Sequence, residues 1–487
     1  MVDLLIVLHC HIPYVRKRGI WPYGEEWIFE AMLESYIPLV NMFNGLSLSG
    51  GENLATVSLS PILLEQLSDD HIKNGFNDYL ETKIKLTSRD VQDFTKKGWN
   101  KLSKASKHRL SALKDVSKTW SSISGDLPKA VRNLNKKNLI EIAGSSATHA
   151  ILPLLSAKSI ERQVSVGLQS IRQRMNYTPT TFWLPECAYK LGLEEILEDN
   201  NINTVFLGSR ATDELHRNRP FTLGNTDVIA LARNWELSKR IWSFEDGYPG
   251  DPRFREFQKR YRRSGNRYWR ITGSNVSLAN KAIYQPEIAL ELANEYANEF
   301  VSMIEKHATD NTDQSILLSI DAELMGQDWY EGVKWLKTVL LQLENSKHVN
   351  LSTPQTLHQK YNPKELDSQR PSVCSWIKDG DLRPWNRGSV LWMWDDIGTM
   401  SSKFFDLKKD TSIDRSLISQ LERELMLCQA SDWPFLVTTK SSKVYGEKRF
   451  RMHRRAFWNI VDLIETDFID FNFEQLSDKD NPFPFLG

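Results

Sequence analysis

The sequence is poor in cysteine, and it has neither a long apolar run nor an excess of charge of one sign. Its cysteines lack the spacing of a disulfide framework or a zinc site; they are Cys10, Cys187, Cys374 and Cys428. No stretch approaches the roughly 18 apolar residues of a membrane span. The apolar run Leu4 to Leu8 is short and follows Asp3 in place of basic residues, which does not fit a signal peptide. We therefore expect a cytoplasmic location and no membrane partner.

The balance of charge argues against a nucleic-acid partner. Lys plus Arg and Asp plus Glu each number 62, so the chain as a whole exerts no long-range attraction on polyanions. Residues 71 to 140 do carry 16 basic and 6 acidic side chains, but no base-stacking aromatics or known binding module accompany them. We interpret this segment as a solvated helical insertion. A neutral polymer would suit such a surface, and the oligomeric state is not predicted.

Several common catalytic motifs are also missing. The sequence contains no G-x-S-x-G elbow, P-loop lysine motif, dinucleotide fingerprint or H-E-x-x-H helix. His9 and His11 would share a face of a regular strand, yet no third ligand stands at metal spacing. A metal site at these histidines is the alternative interpretation, and we predict none.

Short apolar runs followed by loop residues predict buried parallel strands. Helical segments separate most of them, which indicates a parallel sheet with crossover helices. The predicted strands are Leu4 to Leu8, Ala55 to Leu59, Leu139 to Ala143, Thr181 to Leu184, Asn203 to Gly208, Val228 to Ala232 and Ile316 to Ile320.

Two carboxylates directly follow predicted strands. Glu186 follows the strand that begins at Thr181, and Asp321 follows Ile316 to Ile320. If both strands belong to one barrel, both acids lie on its C-terminal rim, where barrel active sites occur. A pair of carboxylates suits glycosidic bond cleavage, because one protonates the departing oxygen while the other attacks the anomeric carbon or activates water.

Other residues of the chain are candidates for binding a sugar. His149 follows the third strand, and Trp27 is either a core residue or a platform for a sugar ring. Asp432 and Trp433 form an acid and aromatic pair of the kind that binds carbohydrate, or else part of a packing cluster. They lie between two amphipathic segments, Ser412 to Ala430 and Arg449 to Glu465, which predict a C-terminal helical domain. The aromatic-rich connection from Arg233 to Thr272 has no clear periodicity.

Five ordered motifs resemble those of glycoside hydrolase family 57, and within it the 1,4-alpha-glucan branching enzymes. They cover nearly the whole chain. The motifs are His9 to Arg16, Ile140 to Leu155, Phe182 to Tyr189, Ser319 to Gly326, and Ser431 to Phe435 with Tyr445, Arg449 and His453. The stretches Gly247 to Asp251 and Tyr268 to Gly273 are similar to the branching-enzyme group in particular.

The resemblance implies an α/β fold, an incomplete (β/α)7 TIM-like barrel with a helical insertion and a C-terminal α-helical domain. It implies a barrel of residues 1–71 and 139–400, an insertion of 72–138 and a C-terminal domain of 401–487 that contributes to the cleft. Glu186 would be the nucleophile and Asp321 the general acid/base of a retaining transfer on an α-glucan, without metal or organic cofactor. The implied substrate-binding residues are His11, His149, Trp269, Asp432, Trp433 and Trp27.

The chain departs from the family pattern beside Asp321. The family commonly reads Gly-His-Trp-Trp after the fourth motif, whereas this chain has Gly326, Gln327, Asp328 and Trp329. The segment Arg370 to Trp394 also differs from the usual tryptophan-bearing loop. Two alternatives to branching follow: an α-1,4 hydrolase or 4-α-glucanotransferase of the same fold, and a glucan-binding protein with little catalysis.

Overall fold

The fold is organised around one curved sheet. The computed structural model describes residues 1–48, 50–213, 216–273, 275–311, 313–466 and 471–486. The strands within these ranges are β1 Val2–Cys10, β2 Ala55–Leu59, β3 Ile140–Ser145, β4 Thr181–Trp183, β5 Thr204–Leu207, β6 Phe221–Leu223, β7 Ile229–Ala232, β8 Ser315–Asp321, β9 Val349–Leu351 and β10 Ser368–Gln369.

Seven strands form the barrel. They are hydrogen-bonded in the order β8-β1-β2-β3-β4-β5-β7, and every neighbouring pair is parallel. β7 and β8 meet through a single parallel bridge between Arg233 and Leu317. The prediction of an incomplete α/β barrel is confirmed.

Three further strands lie outside this set. β6 pairs antiparallel with β7, β10 extends the sheet beyond β6, and β9 pairs with β1. These strands have only two or three residues, too few for a periodic pattern, and the sequence analysis did not predict them.

Both faces of the barrel strands are buried, which explains their continuous apolar sequences. Along β1, Leu5 and Val7 point into the barrel and pack with Trp183, Phe206 and Leu317. The alternate residues of β1 pack on the surrounding helices. Side chains therefore fill the barrel below its C-terminal rim.

Helices cover the sheet and form the additional layers. The helices before β3 are α1 Glu26–Ala31, α2 Ile37–Ser47, α3 Pro61–Ser68, α4 Asp70–Lys96, α5 Asn100–Ser122 and α6 Leu127–Lys136, with a π-helical turn Met32–Tyr36 between α1 and α2. Those from β3 to residue 360 are α7 Ala157–Met175, α8 Leu193–Asp199, α9 Trp235–Trp242, α10 Pro286–Asp310, α11 Gly332–Leu343 and α12 Pro354–Lys360.

The last helices are α13 Leu391–Leu407, α14 Arg415–Cys428, α15 Asp432–Thr438, α16 Lys443–Thr466 and α17 Phe473–Lys479. The apolar residues of α13, α14 and α16 share one core with the β4 to β7 side of the barrel. The boundary predicted at residue 401 lies inside α13. The apolar residues Met393 and Ile397, which precede that boundary, already pack into this core. We propose that the helical domain begins at Leu391.

The insertion between β2 and β3 joins the barrel through buried ion pairs. Arg109 of α5 donates two hydrogen bonds to the Glu34 carboxylate, one of them of 3.1 Å. Arg255 also donates to Glu34, at 3.4 Å. These cations lower the pKa of Glu34 to about 2 against the effect of its burial. The pair therefore fixes α5 to the π-helical turn.

None of the helices in the described ranges is both long enough and apolar enough to cross a membrane.

Candidate active site

The C-terminal ends of four barrel strands meet at one cleft. β1 ends at His9 and Cys10, β4 leads into Glu186, β7 leads into Arg233, and β8 ends at Asp321. His9 and Asp321 are directly opposite each other in the β1 and β8 pairing. Because all these strands are parallel, their ends lie at the same edge of the barrel. The structure thus brings the two predicted carboxylates together.

Glu186 lies in a tight turn after β4. Its φ is 59° and that of Cys187 is 49°, a left-handed conformation that costs energy in residues with a side chain. The Cys187 N–H donates to the Leu184 carbonyl at 2.8 Å, and the Trp376 N–H donates to the Glu186 carbonyl at 2.8 Å. These bonds hold the turn and direct the Glu186 side chain into the cleft.

Burial raises the pKa of both carboxyl groups. The pKa of Glu186 rises from 4.5 to about 8, because its burial and the charge of Asp321 both oppose ionisation. The side chain of Asp321 opens to solvent at the end of β8, yet surrounding protein atoms desolvate it and raise its pKa to about 6. Between pH 6 and 8 the pair therefore holds one proton, and in the free cleft Glu186 has the higher affinity for it.

Trp376 and Arg233 support this pair from one side. The Trp376 indole N–H donates to Glu186 Oε2 at 2.7 Å, and the Arg233 guanidinium lies 5.1 Å from the centre of the Trp376 ring. The positive charge of Arg233 opposes the rise in the pKa of Asp321. Arg233 is 8% exposed, and its Nε has no hydrogen-bond partner in the described structure.

Three histidines form a stack on the other side. The rings of His11 and His149 are 3.8 Å apart, and the ring of His9 lies 4.5 Å from that of Trp183. His9 Nε2 and His149 Nε2 are 2.9 Å apart in a hydrogen bond. Burial lowers the pKa of His9 and of His149 well below 6.5, and the charge of His11 acts in the same direction. Both are therefore neutral at neutral pH.

The C-terminal helical domain completes the cleft at the histidine stack. Asp432 Oδ1 lies 3.1 Å from His11 Nε2, although the two residues are 421 positions apart in the chain. Ser431 Oγ lies 2.8 Å from His149 Nδ1, and His149 Nδ1 is 4.0 Å from Glu186 Oε1. A backbone bridge from Ala150 to Ala430 holds the two segments together.

A third carboxyl group, that of the half-buried Glu323, lies beside Asp321. Glu323 Oε1 accepts a hydrogen bond from the His11 backbone N–H at 3.0 Å and another from the Tyr36 hydroxyl. Burial and the charge of Asp321 raise the pKa of Glu323 to about 8. Glu323 thus joins the loop after β1 to the loop after β8.

The two residues that depart from the family pattern follow Glu323. Both the Gln327 and Asp328 N–H groups donate to the Glu323 carbonyl, at 3.2 and 3.3 Å. Burial raises the pKa of Asp328, and its negative charge contributes to the raised pKa of Asp321. The carboxylate at position 328, where the family pattern has tryptophan, therefore raises the pKa of Asp321.

The predicted aromatic residues differ in position. Trp27 is half-buried and meets Tyr445 edge-on at 5.6 Å, whereas Trp269 packs beside Tyr268 against the insertion, with Lys259 over its ring. Trp433 is 0% exposed, and its indole N–H donates to the Leu427 carbonyl at 2.6 Å. The placement of Trp433 does not support sugar stacking, because no face of its ring is open to a ligand.

Four further residues of the site were not predicted from the sequence: Arg233, Trp376, Glu323 and Tyr36. Arg233 directly follows β7 and Glu323 lies two residues after the end of β8, so their position after a strand was an available signal. Trp376 lies in a segment that departs from the family pattern, and Tyr36 lies within a helical region. No local pattern distinguishes either of the last two.

Two family models match the chain. The model described as glycosyl hydrolase family 57 matches residues 5–373, and the model described as 1,4-alpha-glucan branching enzyme, C-terminal, matches residues 397–487. A 1,4-alpha-glucan branching enzyme of Thermococcus kodakarensis is 33% identical over an alignment that covers 99% of this chain and 77% of that protein.

Solved structures are similar over the full chain. A crystal structure of the Thermococcus branching enzyme, in complex with glucose and additives, has a TM-score of 0.93, 33% identity, and covers 100% of this chain and 96% of that one. That of an alpha-amylase from Thermotoga maritima has a TM-score of 0.89 and 29% identity, and it covers 99% of this chain and 97% of that one. The chain therefore belongs to glycosyl hydrolase family 57.

Proposed function

We propose that this protein is a 1,4-alpha-glucan branching enzyme. It cleaves an α-1,4 bond of a glucan and rejoins the released segment through an α-1,6 bond. The similarity of both the barrel and the C-terminal helices to branching enzymes supports this proposal. The single observation that carries it is the match of residues 397–487 to the C-terminal model of 1,4-alpha-glucan branching enzymes, and the interaction of Glu186 with Asp321 at the rim of the barrel supplies the chemistry.

In the first step, the Glu186 carboxylate attacks the anomeric carbon of the bound glucan. Asp321 gives its proton to the departing glycosidic oxygen, so the old C–O bond breaks as the bond to Glu186 forms. In the second step, Asp321 removes the proton from the C6 hydroxyl of another chain, and that oxygen displaces Glu186. Two inversions retain the α configuration.

These roles require the single proton of the pair to lie on Asp321, whereas the free cleft favours Glu186. Substrate binding and the approach to the transition state together reverse this preference. The developing positive charge at the anomeric carbon stabilises the Glu186 carboxylate, which also accepts the Trp376 N–H bond. The glycosidic oxygen gives protonated Asp321 an acceptor.

The remaining cleft residues bind the glucan. His11, His149 and Asp432 present polar atoms to the cleft beside Glu186, and imidazole and carboxylate groups can form hydrogen bonds with the hydroxyl groups of a sugar. Trp27 offers a partly open ring near Tyr445. Trp269 belongs to the aromatic-rich connection, and its contribution to binding stays a prediction, as do the cytoplasmic location and the lack of a cofactor.

An α-1,4 hydrolase is the second candidate, and the similarity to an alpha-amylase over 99% of the chain favours it. The two functions differ in whether water or a C6 hydroxyl intercepts the glucosyl enzyme. Because both reactions pass through the same glucosyl enzyme, neither the fold nor the pair of carboxylates distinguishes them.

Incubation of amylose with the protein distinguishes the candidates. Proton NMR is expected to show new α-1,6 anomeric signals while the number of reducing ends stays nearly constant. New reducing ends without α-1,6 signals would refute branching and favour hydrolysis. An unchanged polymer that binds the protein would favour a glucan-binding role, and Glu186→Gln is the inactive control.

A further inference from the structure

A second cavity lies at the open seam of the barrel, where β7 and β8 meet only through the Arg233 to Leu317 bridge. Its volume is about 580 Å³, within the range of small-molecule sites. It is lined by residues after β5 and β7, by the loop after Trp376 and by the end of α10. The lining residues include Arg210, Arg233, Asn234, Trp235 and Lys378.

Among the described residues that line the cavity, cationic side chains outnumber carboxylates. Arg210 and Lys378 are exposed, and neither forms an ion pair with any residue of the described ranges. Arg233 is only 8% exposed, and its Nε–H has no hydrogen-bond acceptor among the described residues. Glu236 is the one carboxylate among the lining residues described. A buried N–H group without an acceptor is costly unless a ligand provides one.

The same cavity offers groups that recognise a sugar. Trp235 is half-buried and meets Trp242 edge-on at 5.7 Å. The Asn234 side-chain amide donates to Asn218 Oδ1 at 3.0 Å, which fixes its direction. Guanidinium groups match the geometry of phosphate oxygens, while an indole face suits a hexose ring.

We propose that this seam cavity binds the phosphate monoester of a phosphorylated glucosyl unit, with Arg233, Arg210 and Lys378 as the cationic ligands. The identity of the sugar rests on the proposed function, whereas anion binding does not. Because Arg233 lines the cavity and also faces Asp321, a phosphorylated chain held here would lie close to the acid pair. The site would thus favour phosphorylated glucans among the substrates.

The first test measures the binding of inorganic phosphate and of glucose 6-phosphate by isothermal titration calorimetry. We compare the unchanged protein with Arg210→Gln, Lys378→Gln and the double variant. Each single change is expected to weaken binding about tenfold, the factor for one lost charge-assisted hydrogen bond. Lys118→Gln, which removes an exposed lysine of α5, is the matched control and should leave binding unchanged.

No binding by the unchanged protein, or equal binding by all four proteins, would overturn the proposal. A second arm compares KM for a phosphorylated starch with that for the same starch after phosphatase treatment. A KM that is lower for the phosphorylated starch, and equal for both in the double variant, identifies the polymer as the source. Equal values in the unchanged protein, with glucose 6-phosphate still bound, identify a free sugar phosphate instead.

The calorimetric arm needs no turnover. A protein that binds phosphate in this way but forms no α-1,6 bonds would therefore refute the proposed function and leave the cavity assignment standing.

Discussion

Replacing Glu186 with glutamine should inactivate the protein and stabilise it at the same time. The carboxyl has a pKa of about 8 in the folded protein, compared with 4.5 for an unhindered glutamate. A raised carboxyl pKa means that the folded state binds a proton that the unfolded state has already released. The burial of the Glu186 carboxyl group therefore lowers the free energy of unfolding little near pH 4.5. The loss grows as the pH rises and reaches its full value above pH 8.

The size of the effect follows from the shift. At pH 7 the cost is about 2.5 pH units at 1.36 kcal/mol each, or about 3 kcal/mol, whereas at pH 5 it is about 1 kcal/mol. Glutamine keeps the side-chain shape and can still accept the Trp376 hydrogen bond, but it carries no charge to desolvate. For 487 residues an unfolding entropy on the order of 1 kcal/mol/K converts these values to about 3 °C and 1 °C in Tm.

The assay is differential scanning calorimetry of the unchanged protein and Glu186→Gln at pH 5, 6, 7 and 8. Glu195→Gln is the control, because Glu195 is exposed on the following helix and its replacement makes the same chemical change at a solvated position. The stabilisation by Glu186→Gln should increase from pH 5 to pH 8, while the control shows no such trend. A variant that is less stable than the unchanged protein at pH 8 would refute the desolvation argument.

The remaining predictions concern the pair and its support. The profile of kcat/KM against pH should be bell-shaped, with limbs near pH 6 and pH 8, because Asp321 and Glu186 together hold one proton between these values. Trp376→Phe should lower kcat about tenfold and move the alkaline limb to higher pH, because the lost N–H bond favoured the ionised Glu186. Arg109→Ala should destabilise the protein by about 3 kcal/mol in denaturant unfolding, because Glu34 stays buried without its main partner.

Each of these variants has a matched control. Trp242→Phe changes an exposed indole outside the cleft and should leave the pH profile unchanged. Arg263→Ala breaks an exposed ion pair with Asp93 and should cost less than about 1 kcal/mol. A flat pH profile, an unshifted alkaline limb in Trp376→Phe, or equal costs for the two arginine variants would contradict the corresponding argument.

The barrel strands were predictable because each is an apolar run with loop residues at its end. Predicted and observed bounds agree closely, as for Ala55–Leu59 of β2. The structure of the connection from Arg233 to Thr272 was harder to predict from the sequence. It contains α9, Trp235–Trp242. This helix is only about two turns long, so its alternation of polar and apolar faces is hard to recognise among the many aromatic residues of the connection.

In the candidate site, too, some residues were predictable from the sequence and others depend on how distant segments pack. Glu186 and Asp321 stand after strands, so topology alone places them on one rim. The contact of His11 with Asp432 joins segments 421 residues apart and depends on how the C-terminal helices pack against the barrel. The burial of Trp433 also follows from this packing, and its aromatic character alone left a sugar platform and a packing cluster both open.

Trapping the glucosyl enzyme tests the assignment of the nucleophile most directly. Maltosyl fluoride needs no proton on its leaving group, so Asp321→Asn should form the covalent intermediate but lack the base that releases it. Peptide mass spectrometry after rapid acid quench is then expected to find a maltosyl adduct on Glu186. An adduct on any other residue, or none while fluoride is released, would contradict the account.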